Sequence, residues 1–154
     1  MKREFITESK VQTQQLAMDF IANLKNTNVV LLFGNLGAGK TTFCQGVLRS
    51  LNAEGPFVSP TFVIIKEYIL TQERQEIKNR KISSQFKKVY HWDCYRIGTK
   101  DALALGWEEI VANPENLVLV EWPEKIKKIW PKNFIKIAFE SNGKKRKIIF
   151  EDKN

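Results

Sequence analysis

The run Gly34-Asn35-Leu36-Gly37-Ala38-Gly39-Lys40-Thr41 fits the pattern G-x-x-x-x-G-K-[ST], and each fixed position has a physical task. The glycines let the backbone curl until its N–H groups point inward at phosphate oxygens. A helix that starts where the loop ends adds its positive N-terminal pole. The Lys40 ammonium would reach the β- and γ-phosphates, and the Thr41 hydroxyl would ligate Mg²⁺. The loop is therefore expected to hold ATP with Mg²⁺ through Asn35, Leu36, Gly37, Ala38, Gly39, Lys40, Thr41 and Thr42.

Phosphoryl chemistry also calls for carboxylates that serve the metal and the attacking group. In open α/β sheets, ligands sit beyond the carboxyl ends of the strands. Two acids occupy such ends: Glu121 closes the apolar run Leu117-Val118-Leu119-Val120, and Asp93 closes Val89–Trp92. A carboxylate at the end of a buried strand is costly unless metal or water meets it. Glu121 and Asp93 are thus expected as catalytic and metal-linked acids alongside Lys40. Thr61, after Ser59-Pro60, is a hydroxyl that could close on metal and γ-phosphate as a switch threonine does.

Several elements must position these residues. Residues 2–6 predict a short strand. Ser9 is a plausible N-cap, and Val11, Leu16, Phe20, Ile21 and Leu24 recur at helical spacing over 10–25. Val29–Phe33 is a continuous apolar run closed by Gly34, the pattern of a parallel strand covered on both faces. Thr41–Leu51 predicts the helix after the loop. Phe62–Leu70 predicts a strand, Asp101–Ile110 a short helix, and Leu117–Val120 a second buried strand. Phe134–Phe139 and Lys147–Phe150 predict a terminal antiparallel pair around Ser141-Asn142-Gly143. The sum is an α/β fold: a three-layer P-loop NTPase domain over 1–154 with a mainly parallel central sheet.

Composition agrees with a globular chain: 154 residues, 43% hydrophobic and 27% charged. No apolar run approaches the ~20 residues that cross a bilayer. The N-terminus lacks an apolar stretch of signal-peptide length, so a cytoplasmic protein with no membrane partner is expected. Cys44 and Cys94 make no disulfide framework. With His91 as the single histidine they match no zinc spacing, and buried free thiols are expected. The net charge of +8 is compatible with RNA or an acidic protein partner.

Four blocks follow in order: Gly34–Phe43, Ser59-Pro60-Thr61-Phe62, His91-Trp92-Asp93-Cys94-Tyr95-Arg96 and Val120-Glu121-Trp122-Pro123. Together they resemble the TsaE (YjeE) family, the ATPase of bacterial tRNA threonylcarbamoyladenosine synthesis, over about residues 5–150. The resemblance implies an ATPase that acts with a TsaD-type transferase and a TsaB-type companion, which modify adenosine 37 of tRNA. ATP binding and hydrolysis would reset that complex, with tRNA contacted indirectly and no group transferred by the ATPase itself. It also implies phosphate and metal roles for Lys40 and Thr41, a switch block at Thr61, and a Walker B-like place for Glu121. Trp122 would lie near the nucleotide, and Ser9–Thr13, with Lys10 and Thr13, would border the adenine.

The chain departs from the family at Asn35, where Asp is usual, and at Gln45, where Arg is common. The stretch Thr71–Lys88 is longer than usual. Its six Lys and Arg residues against two Glu supply half of the net charge of +8, and it is expected to be a solvated surface insertion, with a partner or tRNA contact as the alternative. Two rival functions share parts of this pattern. A small-molecule kinase would use the same loop but needs an acceptor-binding motif. A non-catalytic RNA-binding module would use the charge but has no need of Thr41, Asp93 and Glu121 in this order.

Overall fold

The computed structural model describes residues 1–71, 75–77, 80–82 and 85–153. Strand β1 (Lys2–Thr7) leads into helix α1 (Lys10–Ala22), capped by the Ser9 hydroxyl, which accepts from the Gln12 N–H at 3.1 Å. The cap satisfies one of the donors that a helix leaves free at its first turn. The helix ends at Ala22, earlier than its apolar spacing suggests, and Asn26 then adopts φ 63°. Val11 is 74% exposed. The inward face is Thr13, Ala17 and Ile21 instead, with Leu16, Phe20 and Leu24 packed at its margin.

Strand β2 (Val29–Phe33) runs into the glycine loop and then helix α2 (Lys40–Ser50). Strand β3 is only Ile65–Ile69, because residues 61–63 turn, Phe62 is 89% exposed and Ile64 takes φ 68°. Next come β4 (Gln75–Ile77), β5 (Arg80–Ile82) and β6 (Lys88–Asp93). The single helix expected over 101–110 is two, α3 (Thr99–Ala104) and α4 (Trp107–Ala112). Gly106 at φ 88° breaks the run between them, a backbone state that only glycine adopts without strain. Strand β7 (Asn116–Glu121), a 3₁₀ segment (Pro123–Ile129), β8 (Phe134–Asn142) and β9 (Lys145–Lys153) complete the chain.

Seven strands form one sheet in the order β1-β9-β8-β2-β7-β6-β3. The centre is parallel: β2 lies between β7 and β8, and β6 flanks β7. The two edges are antiparallel, β3 on β6 and the β8–β9 pair with β1. Strands β4 and β5 pair with each other in a separate two-stranded sheet. This is the expected three-layer α/β architecture.

Side chains alternate across the strands and so divide the core in two. Val30, Leu32, Leu117 and Leu119 pack under α1 and α2. Val29, Leu31, Val118 and Val120 face Trp92, Trp107 and Ile126 on the side of α3, α4 and the 3₁₀ segment. Glu121 shares the parity of Leu117 and Leu119, and therefore faces α2. The two helices on that side meet at Gly46, where a Cβ would come within 2.7 Å of the Gln14 carbonyl oxygen and 2.8 Å of the Ala17 Cβ.

Candidate functional site

The glycine loop is built by close approach. Gly34 has φ 143°, and a Cβ there would lie 2.6 Å from the Phe139 carbonyl oxygen. Gly39, at φ 112°, is the N-cap of α2, so the helix begins with its free N–H groups beside the loop. Gly37, at φ 76°, turns the exposed tip, where Leu36 is 91% exposed. Asn35 is also exposed at this tip, Ala38 is buried, and Thr42 is half-buried in the first turn of α2.

Lys40 is buried and folds back over the loop. Its Nζ donates to the carbonyl oxygens of Gly34 and of Asn35, the latter at 3.0 Å, and lies 4.2 Å from the centre of the Trp122 ring. Burial lowers its pKa, opposed by the negative charges of Glu121, Glu124 and Asp93. The Thr41 hydroxyl donates to Glu121 Oε1 at 3.0 Å. This contact joins the first turn of α2 to the end of β7, the strand paired with β2.

The two strand-end acids stand side by side, Asp93 paired with Glu121 across β6 and β7. Asp93 Oδ2 accepts from the Thr61 hydroxyl at 3.0 Å, and Oδ1 accepts from the Tyr95 N–H at 2.9 Å. Ser59 Oγ lies 2.8 Å from Thr61 Oγ1. Arg96 holds the same loop by donating from Nη2 to the Thr61 carbonyl oxygen. Ile64, three residues on, has positive φ, a strained state for a β-branched side chain, and its carbonyl accepts from the Asp93 N–H at 2.8 Å. Trp122 is likewise at φ 57°, directly after Glu121, with its ring 4.9 Å from that of Tyr95.

The structure thus gathers Lys40, Thr41, Thr61, Asp93, Glu121 and Trp122 at one end of the sheet. Lys10 and Thr13 stand apart from this group. Lys10 is exposed, whereas Thr13 is fully buried with its hydroxyl 2.8 Å from that of Thr7 and donating to the Ser9 carbonyl at 3.2 Å. Thr13 braces the corner between β1 and α1.

Three further residues enter the site that strand-end reasoning does not supply. His91 is buried, and its Nε2 lies 2.8 Å from Glu121 Oε1, to which it donates. Strict alternation along β6 carried the signal, because His91 must share the face of Asp93. Cys44 lies beside this pair, and the ligating atoms of Cys44, His91 and Glu121 fall within 4.8 Å of one another. The thiol is pushed well up by burial, with Glu121 adding to the effect. Both cysteines are free and buried, as expected. The third residue is Arg146 of β9. Its Cδ and Nε lie 2.9 and 3.1 Å from the position a Cβ on Gly39 would take.

The residues present suit a nucleotide with Mg²⁺. The loop is shaped by Gly34 and Gly39, where a Cβ would be excluded, a buried lysine sits over it, and a hydroxyl and a carboxylate share one hydrogen bond. Among the described residues, no helix is long and apolar enough to cross a membrane.

Comparison with known proteins agrees with this geometry. The model of the family "Threonylcarbamoyl adenosine biosynthesis protein TsaE" matches residues 7–148. The chain is 32% identical to the tRNA threonylcarbamoyladenosine biosynthesis protein TsaE of Rickettsia bellii, over 89% of this chain and 85% of that one. It is 35% identical to the protein of the same name from Nostoc, over 82% of this chain and 70% of that one. Among solved structures, Bacillus subtilis YdiB superposes with a TM-score of 0.74 at 28% identity, covering 99% of this chain and 86% of that one. A family match over most of the length, with the glycine loop and both strand-end acids inside it, leads to one conclusion: the chain belongs to the TsaE family of tRNA threonylcarbamoyladenosine biosynthesis proteins.

Proposed function

We propose that this TsaE-family chain is a Mg²⁺-dependent ATPase that serves threonylcarbamoyladenosine formation on tRNA without transferring the group itself. The observation that carries the reading is the 3.0 Å bond from the Thr41 hydroxyl to Glu121. It sets the metal-ligating hydroxyl of the phosphate loop against a buried carboxylate of the adjacent strand, with Lys40 beside them.

In this reading the loop N–H groups and the α2 N-terminus bind the phosphates. Lys40 exchanges its two loop carbonyls for β- and γ-phosphate oxygens, and such charge-assisted bonds are strong where water is partly excluded. Thr41 and Glu121 hold Mg²⁺, which when bound neutralises charge developing on the phosphates. His91 fixes the Glu121 carboxylate by donating to Oε1. Asp93 holds Thr61 through its hydroxyl, and Arg96 holds the same residue through its carbonyl. The Ser59–Phe62 loop can therefore shift as a unit toward the metal, with Asp93 left to orient an attacking water.

The partners are a TsaD-type transferase and a TsaB-type companion, with tRNA reached through them. Hydrolysis by the chain alone is slow, because Arg96, the arginine that holds the Thr61 loop on this side, is engaged on the Thr61 carbonyl rather than free to meet a γ-phosphate. A cation or an ordered loop supplied by a partner can accelerate such hydrolysis by about 10³-fold or more. Phosphate release is measured for the purified chain, then with the two partner proteins and tRNA, each with and without Mg²⁺. Stimulation that requires Mg²⁺ is expected; fast turnover that no partner changes would contradict the reading.

A further inference from the structure

Arg146 lies near the start of β9, in register with Thr7 of β1 and Ser141 of β8. Its side chain lies across the last glycine of the phosphate loop, with Cδ and Nε at 2.9 and 3.1 Å from a Cβ position on Gly39. The Nε is buried and has no hydrogen-bond partner, and no ion pair involves this arginine among the described residues. A buried N–H left without a partner is costly, and an anion beside the Nε would relieve that cost. Among the described residues, no acid pairs with it.

The sheet order tells where along a ligand that anion would lie. Taking β2 as the origin, β7 and β6 carry Glu121 and Asp93 to one side, while β8, β9 and β1 lie on the other. Lys40, Thr41 and Glu121 mark the metal-bearing end of a bound nucleotide. A nucleotide whose metal-bearing end lies there would extend past Gly39 toward the side from which Arg146 projects. We infer that Arg146 is a nucleotide-binding residue whose guanidinium takes the α-phosphate, at the end of the ligand remote from Glu121. The inference rests on the nucleotide-binding reading above. It also gives Gly39 a second reason to be glycine: besides its positive φ, the arginine fills the space a Cβ would occupy.

The test uses fluorescent ADP and ATP, with Mg²⁺, on the full chain. Arg146→Met keeps the stem that packs on Gly39 and removes the charge, and Arg146→Lys keeps a charge without the planar fork. Arg146→Met is expected to weaken ADP and ATP by the same factor, about tenfold or more, since both ligands carry the α-phosphate. Arg146→Lys should recover part of that loss, and the thermal midpoint of unliganded Arg146→Met should be no lower than that of the unmodified chain, since the unpartnered N–H is gone. Wild-type affinity in Arg146→Met would overturn the inference while leaving the nucleotide reading intact. A loss confined to ATP would place the guanidinium at the γ-phosphate and overturn it as well. Failure of the unmodified chain to bind either nucleotide would remove the reading beneath it.

Discussion

At the scale of single residues, the site is a set of short bonds between groups far apart in sequence, and each bond predicts a phenotype. Lys40→Ala should abolish productive nucleotide binding, because the buried ammonium is the cation nearest the loop carbonyls of Gly34 and Asn35. Titration with fluorescent ATP checks this, and near wild-type affinity would sink the loop's assignment. Glu121→Gln should leave a folded protein that binds ATP. The amide can still accept from Thr41 and His91 but lacks the charge that holds a metal. Hydrolysis should fall by about 10²-fold or more, read as phosphate release with the partners present. Glu121 and Asp93 were legible in the sequence because each ends an apolar run, where a carboxylate is otherwise costly. Arg146 was not legible. Its meeting with Gly39 depends on how the β8–β9 pair stacks beside β2, which local pattern does not encode.

Secondary elements carry a different kind of information. Gly46 sits in the interior of α2, where glycine costs about 1 kcal/mol relative to alanine. Yet alanine there would press on Gln14 and Ala17 of α1 at under 3 Å, so propensity and packing pull in opposite directions. Gly46→Ala should therefore destabilise the chain by about 1–3 kcal/mol despite the better helix former, seen as a lower urea midpoint at unchanged slope. An unchanged or raised midpoint would mean that α1 yields freely. The same contest explains what could be read in advance. Strands β2 and β7 were legible as apolar runs because they are covered on both faces. The helix over 101–110 was misread because Gly106 breaks a pattern that otherwise continues through Leu105 and Trp107. The start of β3 was misread because Phe62 and Val63 are apolar yet exposed, in a loop rather than a strand.

The basic stretch over 71–88 includes β4 and β5, which pair only with each other among the described strands. At its base the Leu70 N–H donates to the Lys87 carbonyl at 2.9 Å, and both Leu70 and Phe86 are buried. Replacing 73–84 by a short turn should therefore spare the thermal midpoint and ATP affinity. Lost affinity for the partner complex or tRNA in that variant would assign the insertion a contact role; unchanged affinity would leave it a solvated tip. The expected solvated tip concerns side chains that lie outside the described residues.

For the molecule as a whole, the two thiols link stability to pH. Burial pushes the Cys94 thiol up to about 12, with Asp93 and Glu124 adding, against an ordinary value of 9.0. Burial likewise raises Cys44. The folded chain keeps these protons where the unfolded chain releases them, so the contribution is full below pH 9.0 and falls as pH rises toward 12. Urea midpoints at about pH 8 and about pH 10.5 should differ less in Cys94→Ala than in the unmodified chain. An equal drop in both would show that the thiol does not contribute.

The sheet order also sets a schedule. Strand β2 finds its neighbours only in β7 and β8, and β1 finds its partner in β9, so the central pairings close loops that span most of the chain. Such distant pairings are slow to form, because loop entropy is lost before contacts reward it. Synthesis proceeds from the N-terminus at roughly 5–20 residues per second. The glycine loop is therefore made early yet stays without its flanking strand until β8 has emerged, and the Arg146 side of the loop is completed last of all. Ribosome-bound chains stopped after the 3₁₀ segment should be protease-sensitive and unable to retain labelled ATP, whereas chains released beyond Lys153 should resist protease and retain ATP within one folding time. In the cell, a nascent chain of this kind passes most of its synthesis with β2 unpaired and exposed to chaperones.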